Sequence, residues 1–301
     1  YTAGLIAGDI LLEVDGKKVK GKSTSDISEA LKGQPNTSLK VIIERPGTKG
    51  TIEKELIRKE IKIDDVPYAG MLNETVGYIR LTSFTQTAGQ QFVSALTKLK
   101  EENNAQALIF DLRGNGGGLL NQSINIVNAF VPKGTMVVQT KGKISEWDAV
   151  YATLNSPVDT EIPVVVLVDD RSASASEIVS GSLQDLDRAV IIGNRTFGKG
   201  LVQQTRRLSY NAQLKVTVAK YYIPSGRCIQ KLNYAERDEV GDATAVADSL
   251  IVPFKTLVNK RTVYDGKGIN PDIKIEEKDI SNITAILVRN FHIFDYATQY
   301  K

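Results

Sequence analysis

The sequence has one cysteine, one histidine, one tryptophan and two methionines in 301 residues. The single cysteine, Cys228, excludes an intrachain disulfide and a cysteine-rich zinc site. The single histidine, His292, excludes a poly-histidine metal site. It also leaves one candidate base for a Ser-His or Cys-His mechanism, and that one lies near the C-terminus. A hydrolase of this composition is expected to use another base. An excess of one charge is also lacking. Thirty-eight Lys and Arg against 35 Asp and Glu leave +3, too little to argue for a nucleic acid or an anionic membrane as partner. No run reaches the roughly 18 apolar residues that mark a membrane span, and there is no fixed-period repeat. What is present is ordinary. Hydrophobic residues make up 42% and charged residues 24%, which excludes disorder, collagen and coiled coil, and the length suggests roughly two domains. The chain begins with Tyr1, so the lack of a signal peptide says nothing about compartment.

Residues 1–60 read as a small β-rich module. Ile10, Leu12 and Val14 alternate with Leu11, Glu13 and Asp15, a strand ending in the turn Asp15-Gly16. Ser23, Thr24 or Ser25 can cap a helix running to Leu31, with Gly33 as its stop. Strands follow at Leu39 to Glu44 and Thr51 to Arg58, around the Pro46-Gly47 turn. With Ala3-Gly4-Leu5, Ala7-Gly8-Asp9-Ile10-Leu11 and Val14-Asp15-Gly16, the module resembles a PDZ domain. Its first strand and carboxylate-binding loop would lie before Tyr1, so the resemblance implies an N-terminally incomplete PDZ domain.

Residues 61–301 read as an α/β core, because strands and helices alternate. Strands are predicted at Val76 to Phe84, Ala107 to Leu112, Val164 to Val168, Ala189 to Ile192 and Gln213 to Tyr222. The Val164–Val168 run is wholly apolar, as in a strand covered on both faces. Helices are predicted at Gly89 to Lys100, Leu120 to Phe130 and Ser176 to Leu186. A helix from Asp279 to His292 is expected to close the core.

Three segments can carry chemistry. Asp111-Leu112-Arg113-Gly114-Asn115-Gly116-Gly117-Gly118 follows a buried strand, so its amides are free to meet a ligand. The plain alternative is a tight strand-to-helix turn. The loop lacks Gly-Lys-Ser/Thr and the dinucleotide spacing, which argues against a nucleotide. Ser172-Ala173-Ser174-Ala175-Ser176-Glu177-Ile178 joins a strand to a helix. A serine there is exposed at the positive end of the helix dipole, with the next amide near any oxyanion. The alternative is an N-cap serine completed by Glu177. Thr196-Phe197-Gly198-Lys199-Gly200-Leu201-Val202-Gln203 sets a lysine among apolar residues. Burial there would favour the neutral amine, which can accept a serine proton. In a continuous strand Gln203 would face the same way as Lys199. The alternative is a surface lysine.

Together these segments resemble the C-terminal processing peptidases, or tail-specific proteases, a family of Ser-Lys serine peptidases. The matches continue with Val76-Gly77-Tyr78-Ile79, Thr-Val-Ala-Lys-Tyr-Tyr-x-Pro-Ser-Gly-Arg at 217–227 and Gly-Ile-x-Pro-Asp at 268–272. The resemblance implies a crotonase/ClpP-like α/β protease core beside the PDZ domain. It implies Ser174 as nucleophile, Lys199 as general base, Gln203 as the lysine's helper, and an oxyanion hole made of the Ala175 and Gly117 amides. No metal or organic cofactor is implied. The implied partners are protein or peptide substrates with accessible C-termini, bound by the PDZ domain, with a homo-oligomer or an adaptor as further expectations. The implied setting is the bacterial cell envelope, periplasmic or extracytoplasmic. The family often has Pro where Gly116 stands and Gly where Arg171 stands, and Arg171 is expected to crowd or gate the serine. The rival reading is a non-catalytic ligand- or peptide-binding protein on the same fold. A crotonase-like acyl-CoA enzyme would not need Lys199, and a PDZ scaffold with a silent core would misplace it.

Overall fold

The structure is a computed structural model that describes residues 3–61, 63–276 and 280–300. Two compact units make up the chain. Ile63–Glu276 forms one, and the residues on either side of it form the other.

In the N-terminal part, β1 (Ile10–Val14), β2 (Lys17–Lys18), α1 (Thr24–Leu31), β3 (Ser38–Glu44) and β4 (Thr51–Ile57) give an antiparallel sheet of order β2-β1-β3-β4. Asp15 and Gly16 both have positive φ, 47° and 75°, the conformation that a two-residue hairpin requires. Ser23 caps α1, its hydroxyl accepting from the Asp26 N–H at 3.2 Å. Gly33 is not the helix stop: the chain leaves the helix one residue earlier, where Lys32 turns extended. Val14, Val19, Leu39, Val41 and Ile43 form the small core of this part.

The larger unit contains β5 (Tyr68–Met71), β6 (Val76–Arg80), α2 (Ala88–Glu101), β7 (Ala107–Asp111), α3 (Leu120–Asn128), β8 (Met136–Gly142), β9 (Ala149–Ala152), β10 (Val164–Val168), α4 (Ala175–Asp185) and β11 (Val190–Gly193). It continues with β12 (Leu201–Arg207), β13 (Gln213–Tyr222), β14 (Leu232–Arg237), β15 (Ala243–Ala245), β16 (Pro253–Lys255), β17 (Thr262–Tyr264) and β18 (Ile273–Lys274). The main sheet has the order β18-β11-β10-β7-β6-β5 and is parallel except for β5. Its strands read as apolar runs because β10 and β7 are interior to it. Val164, Val166 and Val168 are buried, while Val165 and Leu167 are only half-buried, so one face of β10 is covered less fully than expected. Phe92 of α2, Phe110 of β7 and Phe130 after α3 stack through the core, with ring centroids 4.5 and 5.8 Å apart. A second, antiparallel sheet has the order β12-β13-β8-β9.

The C-terminal residues do not close this core. They form α5 (Asn282–Arg289) and α6 (His292–Tyr300), broken at Phe291, whose φ is 61°. Neither helix buries a side chain, and both group with the N-terminal part. Asp279, where the helix was expected to start, lies outside the described residues. The core edge is taken instead by the Gly-Ile-x-Pro-Asp segment: Ile269 is fully buried and β18 pairs with β11. Among the described residues no helix is long and apolar enough to cross a membrane.

Helix α4 is buried along its whole length. Its last residue, Asp185, holds the buried Arg227 guanidinium at 2.9 Å, which also donates to Gln184 Oε1 at 2.7 Å and to the Tyr264 carbonyl at 3.0 Å. Burial pushes the Arg227 pKa down and the Asp185 charge opposes this. Removing one partner of such a pair strands a buried charge at a cost of about 3–5 kcal/mol. Arg227→Met is therefore expected to lower the free energy of unfolding by about that amount, read from urea denaturation midpoints. An unchanged midpoint would show that the pair does not anchor α4.

Candidate active site

Two loops at the C-terminal ends of neighbouring parallel strands meet here. The first is the glycine loop after β7. Asp111 closes that strand, and the Arg113 guanidinium folds back on it at 2.8 Å while the Tyr78 hydroxyl donates to it at 2.6 Å. Burial alone would raise Asp111; these bonds outweigh burial and hold it below the usual carboxylate range. The second loop leads from β10 into α4. The two are stitched together. Ala173 N–H donates to the Asn115 carbonyl at 3.0 Å, Ser176 Oγ donates to the same carbonyl at 2.9 Å, and Ser172 Oγ donates to the Leu112 carbonyl at 2.8 Å. Asp169 accepts from the Gly114 N–H at 2.9 Å. Burial would raise Asp169, but bonds from Gly114, Ser172 and Arg171 prevail and hold it low. The Arg171 side chain is 77% exposed and reaches Asp169 at 3.5 Å, so it pairs with that carboxylate and does not crowd Ser174.

Of the three serines, Ser172 and Ser176 are buried and their hydroxyls are committed to loop carbonyls, whereas Ser174 is half-buried. Ser174 has φ 56° and ψ −112°, a conformation that costs a non-glycine residue about 1–3 kcal/mol and that clusters at functional turns. A strained strand-to-helix turn of this kind can lift a side chain clear of a sheet. The N–H of Glu177 bonds to the Ser174 carbonyl at 2.9 Å. Tyr221 lies near Ser174: burial and nearby Tyr151 raise its pKa, and Ser174 opposes them.

Gly117 packs directly on this turn. Its φ is +93°, and a Cβ there would lie 2.6 Å from the Ala173 carbonyl and 2.9 Å from the Ala175 nitrogen, so no side chain fits. Among the described residues the Ala175 N–H has no hydrogen-bond partner, and it sits in the first turn of α4, where helix amides are free for an anion. The Gly117 N–H donates to Asn115 Oδ1 at 2.8 Å, so in this state it is committed elsewhere.

The lysine segment approaches from β11. Gly198 and Gly200 flank Lys199 because added Cβ atoms would meet Lys231 Cβ at 2.4 Å and the Gln230 nitrogen at 2.6 Å. Lys199 N–H donates to Glu177 Oε2 at 2.8 Å, and Ser174 N–H donates to the same oxygen at 2.9 Å. The backbones of the two residues therefore share one acceptor. Their side chains are not joined. Contrary to the expected burial, the Lys199 side chain is exposed, and it makes no hydrogen bond to Ser174 or to Gln203, which is also exposed. Lys199 precedes β12, and a bulge between Val202 and Gln203 shifts the register, so simple alternation does not align the two side chains.

Asn115, Glu177 and Tyr221 were not marked as site residues by the sequence. Tyr221 stands in the 217–227 motif, and Asn115 and Glu177 stand inside quoted motifs, so position within a motif was the available signal. Burial pushes the Cys228 thiol up, away from thiolate reactivity. Among the described residues no group of three or more His, Cys, Asp or Glu is placed to hold a metal ion.

The chain belongs to peptidase family S41, whose model matches residues 75–238, over half of the sequence. A PDZ-domain model matches residues 1–45. Curated relatives include the carboxy-terminal-processing protease of Bartonella bacilliformis, 36% identical over 235 residues, covering 76% of this chain and 52% of that protein. The carboxyl-terminal-processing protease of a Synechocystis strain is 39% identical over 237 residues, covering 76% and 54%. The chain thus spans about half the length of these relatives. Among solved structures, the photosystem II D1 C-terminal processing protease is similar at TM-score 0.53 and 29% identity, covering 91% of this chain and 65% of that one.

Proposed function

We propose that this chain is the peptidase part of a serine endopeptidase that cleaves proteins near their C-termini through a Ser174–Lys199 dyad. The observation that carries this reading is the strained turn at Ser174 beside a free Ala175 amide, with Lys199 tied to Ser174 through one shared carboxylate oxygen. In the reaction the neutral Lys199 amine takes the Ser174 proton as the oxygen attacks the peptide carbonyl. The α4 N-terminus and the Ala175 amide hold the oxyanion; Gly117 joins them once its N–H leaves Asn115. Lys199 returns the proton to the leaving amine, and water then hydrolyses the acyl-enzyme with the same base. Gln203 steadies the Lys199 nitrogen once the side chain has swung in, a change compatible with the loose geometry of unliganded sites. The PDZ domain binds the substrate's C-terminal residues by strand addition. An extracytoplasmic bacterial setting follows from the same resemblance.

The test is cleavage of a fluorescent polypeptide with an apolar C-terminal tail, alongside the same polypeptide with that tail deleted. Mass spectrometry locates the cut and any acyl adduct. Cuts near the tail, slower without it, and an adduct on Ser174 are expected. An adduct on another residue sinks the nucleophile assignment. Indifference to the tail sinks the C-terminal preference. The binding-protein rival predicts no cut at all.

A further inference from the structure

We propose that Glu177 is a positioning residue that clamps the nucleophile turn to the lysine loop. The proposal rests on the reading of Ser174 and Lys199 as nucleophile and base, and deepens it.

Helix capping alone would account for one contact. A glutamate three residues after an N-cap ordinarily reaches back to the cap N–H, as Glu177 does to Ser174. A carboxylate offers about four acceptor sites, and the other three here face the lysine loop. Oε2 takes the Lys199 N–H at 2.8 Å; Oε1 takes the Gly198 N–H at 2.7 Å and the Thr196 hydroxyl at 2.6 Å. Glu177 is fully buried, and all four of its neighbours donate, so the ionised form fits the cage. Burial pushes its pKa up while these bonds oppose the rise.

The clamp continues outward. Thr196 Oγ1, while donating to Glu177, accepts the Ile269 N–H at 2.7 Å. Gly268 lies so close to this loop that a Cβ would stand 2.6 Å from the Thr196 carbonyl. The Gly-Ile-x-Pro-Asp motif, which the dyad leaves without a role, is thereby the outer support of the lysine loop. Other bonds also hold this loop: Phe197 N–H donates to the Ser172 carbonyl at 3.1 Å, Lys231 N–H to the Gly198 carbonyl at 2.9 Å and Gly200 N–H to Gln230 Oε1 at 2.7 Å; Glu177 adds the contact that joins the Ser174 and Lys199 amides. The shared oxygen fixes its backbone relative to Ser174 and leaves the side chain free to move.

The test uses the full chain with Glu177→Gln, Thr196→Val and Thr196→Ser. A glutamine keeps one oxygen, and its NH2 must face either the Ser174 and Lys199 amides or the Thr196 and Gly198 donors, so one pair breaks. Amide hydrogen exchange is expected to quicken about tenfold or more in Glu177→Gln, either at Ser174 and Lys199 or at Gly198, whichever pair the NH2 faces, while Val166 in the core stays protected. With saturating tailed substrate, kcat is expected to fall about 100-fold with KM little changed, the signature of lost orientation. Should Glu177→Gln fail to fold, Thr196→Val, which keeps the shape and loses the hydroxyl, carries the test. It is expected to lose about tenfold in kcat, with Thr196→Ser restoring it. Unchanged exchange at the three amides, or a change in KM alone, overturns the clamp. Absence of any cleavage by the unaltered chain would instead count against the dyad, and the exchange rates would still decide the clamp.

Discussion

Ser174→Ala is expected to reduce cleavage of a tailed substrate by about 10⁶-fold, as removal of a serine peptidase nucleophile does elsewhere, while leaving the fold intact. Neither neighbouring hydroxyl can replace it. Ser172 Oγ and Ser176 Oγ donate to the Leu112 and Asn115 carbonyls and point into the loop contact, away from the turn. The substitution should also be nearly silent in stability. Alanine at φ 56° bears the same strain as serine, and the lost hydroxyl is half-buried with only Tyr221 beside it. Ser172→Ala is the informative contrast: it removes a buried hydrogen bond, costing about 1–3 kcal/mol of stability, yet should still cleave once folded. Initial rates on the tailed substrate and denaturation midpoints for both variants settle the matter. Appreciable cleavage by Ser174→Ala, or its absence in a folded Ser172→Ala, contradicts the assignment.

The legible parts were those that rest on local chemistry. The Val164–Val168 run, the amphipathic spacing of Phe92, Leu96 and Leu99, and the Asp15-Gly16 turn each state a local preference that the fold obeys. The order of the three motif segments was also legible, and the Ser174 turn lies between a buried strand and a helix, as the sequence suggests. What was not legible depends on partners distant in the chain. Glu177 reads as a capping residue because its N-cap lies three positions back, while its other donors lie 19 to 22 positions ahead. The commitment of Gly117 N–H depends on which way the Asn115 amide turns, and periodicity cannot report that. Lys199 sits among apolar neighbours in the sequence. In space, however, Phe197 is itself exposed, and the flanking glycines press against residues 230 and 231 and leave the lysine outside. The C-terminal segment has the apolar residues of a core helix. Yet neither α5 nor α6 buries a side chain.

Lys199→Ala is expected to match Ser174→Ala in its loss of cleavage, and the double variant should be no slower than either. Groups that act as one unit fail together, so their effects do not add. The stability prediction is the reverse of the usual one for an active-site residue. Among the described residues the exposed Lys199 side chain makes no hydrogen bond or ion pair, and its backbone N–H stays with Glu177 whatever the side chain, so the alanine variant should unfold at the same urea concentration as the unaltered chain. Lys199→Arg separates two roles that alanine confounds. A guanidinium keeps the positive charge but cannot give up its proton in a protein. If the lysine only supplied charge to the oxyanion, arginine would preserve much of the rate; if it must accept the Ser174 proton, arginine should be as inactive as alanine. Substantial cleavage by Lys199→Arg would remove the lysine as base and leave the Ser174 turn in need of another proton acceptor. Tyr221, which lies near that serine, would then be the first residue to replace.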